Sequence, residues 1–102
     1  MQFENVNVEI EGNSYFDGAV TSRTLHFKDG SKKTLGFMQI GEYIFGTEAP
    51  ELMEITRGEV EVLLPNEKEW QSIKGGERFH VVGNARFKIK VLSLTDYCCS
   101  YL

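Results

Sequence analysis

The spacing of the turn signals constrains this chain more than any other feature. Gly12-Asn13, Asp29-Gly30-Ser31, Ala49-Pro50, Arg57-Gly58, Pro65-Asn66, Gly75-Gly76 and Gly83-Asn84 cut it into short runs rich in Val, Ile, Phe, Tyr and Thr. Runs of β-branched and aromatic residues between such punctuation read as the strands of a sandwich or barrel. Glu59-Val60-Glu61-Val62 and Arg86-Phe87-Lys88-Ile89-Lys90-Val91 alternate strictly, so each has one buried and one wet face. No segment holds a helical period for three turns. The pattern predicts strands at 6–11, 19–28, 33–40, 42–48, 52–57, 59–64, 70–73, 77–82, 86–93 and 96–101. With 102 residues, 41% of them apolar, the chain suits one all-β domain around one core. Residues 1–12 stand apart as an N-terminal extension, and 13–102 form the barrel domain. Val6, Val8 and Ile10 alternate with polar residues, as an added edge strand or a dimer contact would.

Eleven basic residues against fifteen acidic give a net charge of -4. Nucleic-acid modules usually carry the opposite sign, so DNA and RNA are not expected partners. No apolar run approaches the roughly 20 residues a membrane helix needs. The N-terminus has no apolar signal core, so a membrane partner is not expected either. The only cysteines, Cys98 and Cys99, are adjacent. A bridge between neighbours is strained, because Cα atoms about 3.8 Å apart fall short of the usual disulfide span. Both read as reduced thiols of a cytoplasmic protein, packed as small hydrophobes.

Residues 41–65, GEYIFGTEAPELMEITRGEVEVLLP, look like the first sequence box of a cupin barrel. Glu51 and the turn glycine Gly58 stand seven residues apart, and Val60, Val62 and Leu64 follow on one strand face. The two metal-histidine positions of such a box hold Phe45 and Thr47. In the second box, around Gly76-Glu77-Arg78-Phe79-His80-Val81-Val82-Gly83-Asn84, the proline slot holds Val82 and the histidine slot falls on Phe87. One carboxylate, Glu51, cannot hold a catalytic metal that needs three protein ligands, so no metal site is expected.

Across residues 13–102 the chain resembles the small pyrimidine/purine nucleoside phosphorylases of the cupin superfamily. The matching residues include Tyr15-Phe16-x-Gly18, Gly36-x-Met38, Tyr43-x-Phe45-x-Thr47, Pro50-Glu51-x-Met53, Leu63-Leu64-Pro65, Trp70 and Tyr97-x-Cys99-x-Tyr101-Leu102. The resemblance implies a cupin-like β-barrel (jelly roll) with an extra N-terminal strand, and a homodimer without metal or other cofactor. It also implies phosphate-dependent cleavage of purine and pyrimidine nucleosides to free base and pentose 1-phosphate, with inorganic phosphate as co-substrate. Other members commonly carry an arginine in the turn that here reads Asp29-Gly30-Ser31-Lys32-Lys33. The competing reading is a non-catalytic cupin that binds a small ligand as sensor or carrier.

Parity assembles a candidate site. Tyr43, Phe45 and Thr47 project to one side of a strand. In a cupin register Glu51 and Met53 stand beside them, with Phe79 and Phe87 facing the same cavity. Such an apolar pocket with a few polar handles suits a small ligand. Tyr43, Phe45, Met53, Phe79 and Phe87 are the expected substrate-binding residues. Glu51 and Thr47 are the expected catalytic pair: Glu51 for ribose hydroxyls or the cationic sugar, Thr47 for a hydroxyl to phosphate or sugar. Phosphate calls for a cation. Lys33 is the first choice, with Arg23, Arg57 and Arg78 as alternatives. Arg86, Lys88 and Lys90 read as a solvated face, and His26 and His80 as structural or exposed.

Overall fold

The structure is a computed structural model that describes residues 2–102; the first residue of the N-terminal extension lies outside them. Among the described residues eleven strands form two antiparallel sheets. They are β1 (Asn7–Val8), β2 (Asn13–Tyr15), β3 (Val20–His26), β4 (Lys32–Met38), β5 (Gly41–Thr47) and β6 (Glu51–Arg57). β7 (Glu59–Leu63), β8 (Gln71–Lys74), β9 (Arg78–Val81), β10 (Ala85–Val91) and β11 (Thr95–Tyr101) complete the set. A single helical turn, Phe16–Gly18, joins β2 to β3. The larger sheet runs β1-β3-β4-β11-β6-β9, with β2 attached to β3 alone, and the smaller runs β5-β10-β7-β8. The all-β architecture is the one the turn spacing predicts.

The N-terminal part differs from the expectation in two ways. The first strand is shorter, since only Asn7 and Val8 pair, with His26 and Leu25. β2 was not expected at all: Gly12-Asn13 reads as a turn, and three residues are too few to show alternation. Asn13 nevertheless pairs with Ser22 and donates its side-chain amide to the Ser22 and Thr24 hydroxyls, each at 3.1 Å.

The core lies between the sheets. Val20, Met38, Ile55 and Tyr97 from the larger sheet meet Tyr43, Val60, Val62, Phe87 and Ile89 from the smaller. β10 is central to the smaller sheet, pairing Phe87 with Phe45 and Ile89 with both Tyr43 and Val62. Its inward positions are almost wholly dry, and each such side chain contributes about 1.5–3 kcal/mol through burial. Gly58, the turn glycine of the first box, has φ +111, and a Cβ there would collide with the Thr95 side chain and the Leu94 carbonyl. Only glycine turns β6 into β7 at that point. The outer face of the larger sheet is partly dry as well. Leu25 and Cys98 are buried there, and Phe3 packs edge-on against Phe27 with ring centroids 5.2 Å apart. Among the described residues no helix is long and apolar enough to cross a membrane.

Candidate active site

A cavity of about 120 Å³ opens between the two sheets. Its apolar side is made by Phe45 and Phe87 from the smaller sheet with Met38 and Met53 from the larger. Phe45 and Phe87 are cross-strand partners, and their rings stack with centroids 5.7 Å apart and planes 29° apart. Phe79 meets Phe87 edge-on at 5.9 Å and supports it from behind.

The opposite side is polar and comes mostly from β11. Tyr97, Cys99 and Tyr101 share one parity and all reach the cavity. Registry fixes their neighbours: Cys99 lies between Met53 and Thr34, and Tyr101 opposite Glu51. The Tyr101 hydroxyl is 3.3 Å from Thr34 Oγ1. Tyr97 lies where a Cβ on Gly36 would stand, so a glycine on β4 gives that ring its room. Burial pushes the Tyr101 hydroxyl and the Cys99 thiol each up to about 12, so both act as neutral groups. Burial also raises the Glu51 carboxyl above its ordinary range, and the neighbouring Cys99 thiol only partly offsets this.

Above this polar side stands Lys32, its Nζ 4.9 Å from the centroid of the Tyr101 ring. Lys32, Thr34 and Met38 share a parity on β4, so Lys32 projects toward the cavity side of the sheet.

The structure brings four of the expected residues to the cavity wall: Phe45, Glu51, Met53 and Phe87. Tyr43 and Phe79 pack behind that wall; the Tyr43 hydroxyl donates to the Gln39 carbonyl at 2.7 Å, turned from the cavity. Two placements correct the sequence reading. Thr47 is buried, with its hydroxyl donating to the Val82 carbonyl at 2.7 Å and accepting from the Ala85 amide at 3.2 Å. That hydroxyl ties the end of β5 to the turn before β10 and has no proton left for a substrate. Lys33 is on the outer face of the larger sheet, its Nζ over the Phe3 and Phe27 rings at 5.3 and 5.7 Å. The pleat is the reason: one residue along a strand reverses the face.

Sequence reasoning gave no role to Lys32, Thr34, Tyr97, Cys99 or Tyr101, nor to Tyr15 and Ser22 on the same cavity wall. The alternation Tyr97-x-Cys99-x-Tyr101 carried the signal. It was masked because the intervening Cys98 and Ser100 are buried too, on the outer face. Among the described residues no three His, Cys, Asp or Glu side chains gather where they could hold a metal ion.

The turn that follows the wall residue Tyr15 is strained. Phe16, Asp17 and Gly18 follow Tyr15 with φ of 53, 54 and 90. Left-handed backbone costs a non-glycine residue roughly 1–2 kcal/mol and is rare for a bulky one. Phe16 is held there with its ring 5.5 Å from Phe45, edge-on, and 5.0 Å from Tyr43.

Comparison with known proteins shows the family and the fold. The family model for pyrimidine/purine nucleoside phosphorylase matches residues 10–101. A pyrimidine/purine nucleoside phosphorylase of Sulfurovum sp. is 70% identical, covering 99% of this chain and 98% of its own. One from Hydrogenovibrio crunogenus is 57% identical over 99% of this chain and 97% of its own. The crystal structure of a protein of unknown function from Acinetobacter sp. superposes with a TM-score of 0.96 at 39% identity, covering 99% of this chain and 98% of that one. A putative ethanolamine utilization protein of Salmonella typhimurium shares the fold alone, at TM-score 0.69 and 11% identity over 95% of this chain and 96% of that one. The chain belongs to the pyrimidine/purine nucleoside phosphorylase family.

Proposed function

We propose that this protein cleaves purine and pyrimidine nucleosides by phosphorolysis in the cavity between its sheets. A phosphate oxygen attacks C1′ and forms the new C–O bond. The C1′–N bond breaks with its electron pair going to the base, which takes up a proton on release. The sugar passes through an oxocarbenium-like state, so positioning and electrostatics carry the catalysis.

The observation that carries this reading is the two-sided cavity. The Phe45–Phe87 stack offers apolar surface to any nucleobase. It has no base-edge reader, which suits a site that accepts both purines and pyrimidines. Glu51 and the Tyr101 and Thr34 hydroxyls face it from the polar side. In its charged form Glu51 stabilises the cationic sugar, and the two hydroxyls hold ribose or phosphate oxygens. Lys32, above Tyr101, supplies the positive charge that phosphate needs. The chemistry requires no metal, and Phe45, Thr47 and Phe87 fill the positions at which a cupin carries its histidines. We also propose a homodimer, on the resemblance and on Leu35, 40% exposed on the outer face of the larger sheet. Free, buried Cys98 and Cys99 support the cytoplasm as its compartment.

The test follows base release from uridine, adenosine and guanosine with and without phosphate. Release that requires phosphate and yields pentose 1-phosphate is expected. Release without phosphate identifies a hydrolase. No release together with saturable nucleoside binding identifies the sensor or carrier.

A further inference from the structure

The cavity is smaller than its proposed occupant. Sites for drug-sized ligands run roughly 300–1,000 Å³, and this one measures about 120 Å³. A nucleoside is fully enclosed here only if some part of the wall gives way. Most of it is locked. Phe45 and Phe87 sit in the β5–β10 ladder, and Thr34, Met53, Cys99 and Tyr101 in the β4–β11–β6 ladders. Tyr15 is the exception. It closes the cavity at the end of β2, a three-residue strand paired on one side only. The turn after it, Phe16–Gly18, is closed by one backbone hydrogen bond, from the Ala19 amide to the Phe16 carbonyl at 3.1 Å. Phe16 and Asp17 hold positive φ without being glycine, so the backbone of this turn is under strain. Phe16 covers Phe45 while remaining 48% exposed.

We propose that the segment Tyr15–Gly18 is a gate over the aromatic end of the cavity, and that Phe16 sets the size of the nucleobase it admits. This rests on the nucleoside phosphorylase reading and adds a specificity residue to it. The gate opens by release of the strained turn, which breaks its one hydrogen bond and the last β2–β3 pair, Tyr15 with Val20, and frees a ring that is already half in water. On closing, the Phe16 ring packs against the base that lies on Phe45. A two-ring base reaches further across the Phe45 ring toward the gate than a one-ring base does, so the two substrate classes feel Phe16 differently.

The experiment uses the full chain with Phe16→Ala and Phe16→Trp. Steady-state rates with guanosine and uridine at saturating phosphate give the purine-to-pyrimidine ratio of kcat/KM. For Phe16→Ala this ratio is expected to rise by about 10-fold, the scale on which a changed pocket wall discriminates. The change is expected in KM, with kcat nearly constant. Loss by the same factor on both nucleosides, or no change, overturns the proposal, because a purely structural ring would not separate them. A second readout does not depend on turnover. In Phe16→Trp carrying Trp70→Phe, indole fluorescence is titrated with guanosine and with uridine in the absence of phosphate. Saturable quenching supports contact between base and position 16, and its absence overturns it. If the unaltered protein releases no base with phosphate, the phosphorylase reading fails and the quenching decides the gate alone. If Phe16→Ala does not fold, by its thermal melt, Phe16→Trp supplies both measurements.

Discussion

Lys32 holds its ammonium 4.9 Å from the centroid of the Tyr101 ring, at the polar side of the cavity. Lys33, one residue on, rests over Phe3 and Phe27 on the other side of the same sheet. Two adjacent cations are thus separated by the thickness of a strand. Replacing Lys32 with Met keeps the stem and removes the charge. The expected loss is about 1.5–3 kcal/mol for a charged hydrogen bond, or roughly 10- to 150-fold in phosphate-limited rate. Lys33→Met should leave the phosphate dependence unchanged. Initial rates against phosphate concentration for both variants check this, and the reverse result would return Lys33 to the site.

Glu51 links activity to pH and stability. Burial raises its pKa in the folded state above that in the unfolded chain. Between those two values the folded state holds a proton that the unfolded state has released. Stability therefore falls as pH rises through that window, and the cost persists at neutral pH. Glu51→Gln removes the titration. The variant is expected to melt above the parent at pH 7, with the gap closing toward the ordinary carboxylate range of about 4.3. Phosphorolysis should fall by about 100- to 1,000-fold, the scale for losing one preorganised electrostatic contact. Melting curves from pH 4 to 8 beside kinetics check both, and a gap that does not vary with pH contradicts the assignment.

Phe45 and Phe87 stack on one another and differ in burial: Phe87 is 2% exposed, while Phe45 is only partly buried. Phe87→Ala is expected to cost about 3–5 kcal/mol of stability through the cavity it leaves. Phe45→Leu keeps much of the volume, so its effect should appear as a raised KM for every nucleoside with little change in melting temperature. Denaturant titrations with kinetics separate the two.

Thr47 is a fastener for the turn before β10. Thr47→Val keeps the shape and strands the Ala85 amide and the Val82 carbonyl. Unsatisfied buried groups cost about 1–3 kcal/mol, so the melting temperature should drop while KM and kcat hold. A selective fall in kcat at unchanged stability would make Thr47 catalytic after all.

Metal independence is tested directly. Elemental analysis of protein purified without added metal should find no stoichiometric transition metal, and chelation should leave the rate unchanged. Zinc, iron, nickel or manganese at one per chain, lost together with activity, would contradict this.

The sequence by itself determined the all-β class, the positions of the strands from β3 onward and the inward parity of β5 and β10. Those features are local: they rest on turn chemistry at fixed residues and on a side-chain period of two. Gly58 is legible in the same way, because its φ of +111 follows from a turn that the chain announces. Other features were decided only by the tertiary structure. Which of Lys32 and Lys33 faces the cavity depends on the register of β4 against β11, and a one-residue difference reverses the answer. Tyr97, Cys99 and Tyr101 became visible as a cavity wall only when β11 was seated between β4 and β6, because a strand buried on both faces shows no contrast in its pattern. Thr47 was lost to the site because a turn thirty-five residues further on takes up its hydroxyl. Phe16 gained its place because the fold holds a bulky residue in left-handed backbone against Phe45, a conformation that local preference opposes and only surrounding contacts sustain.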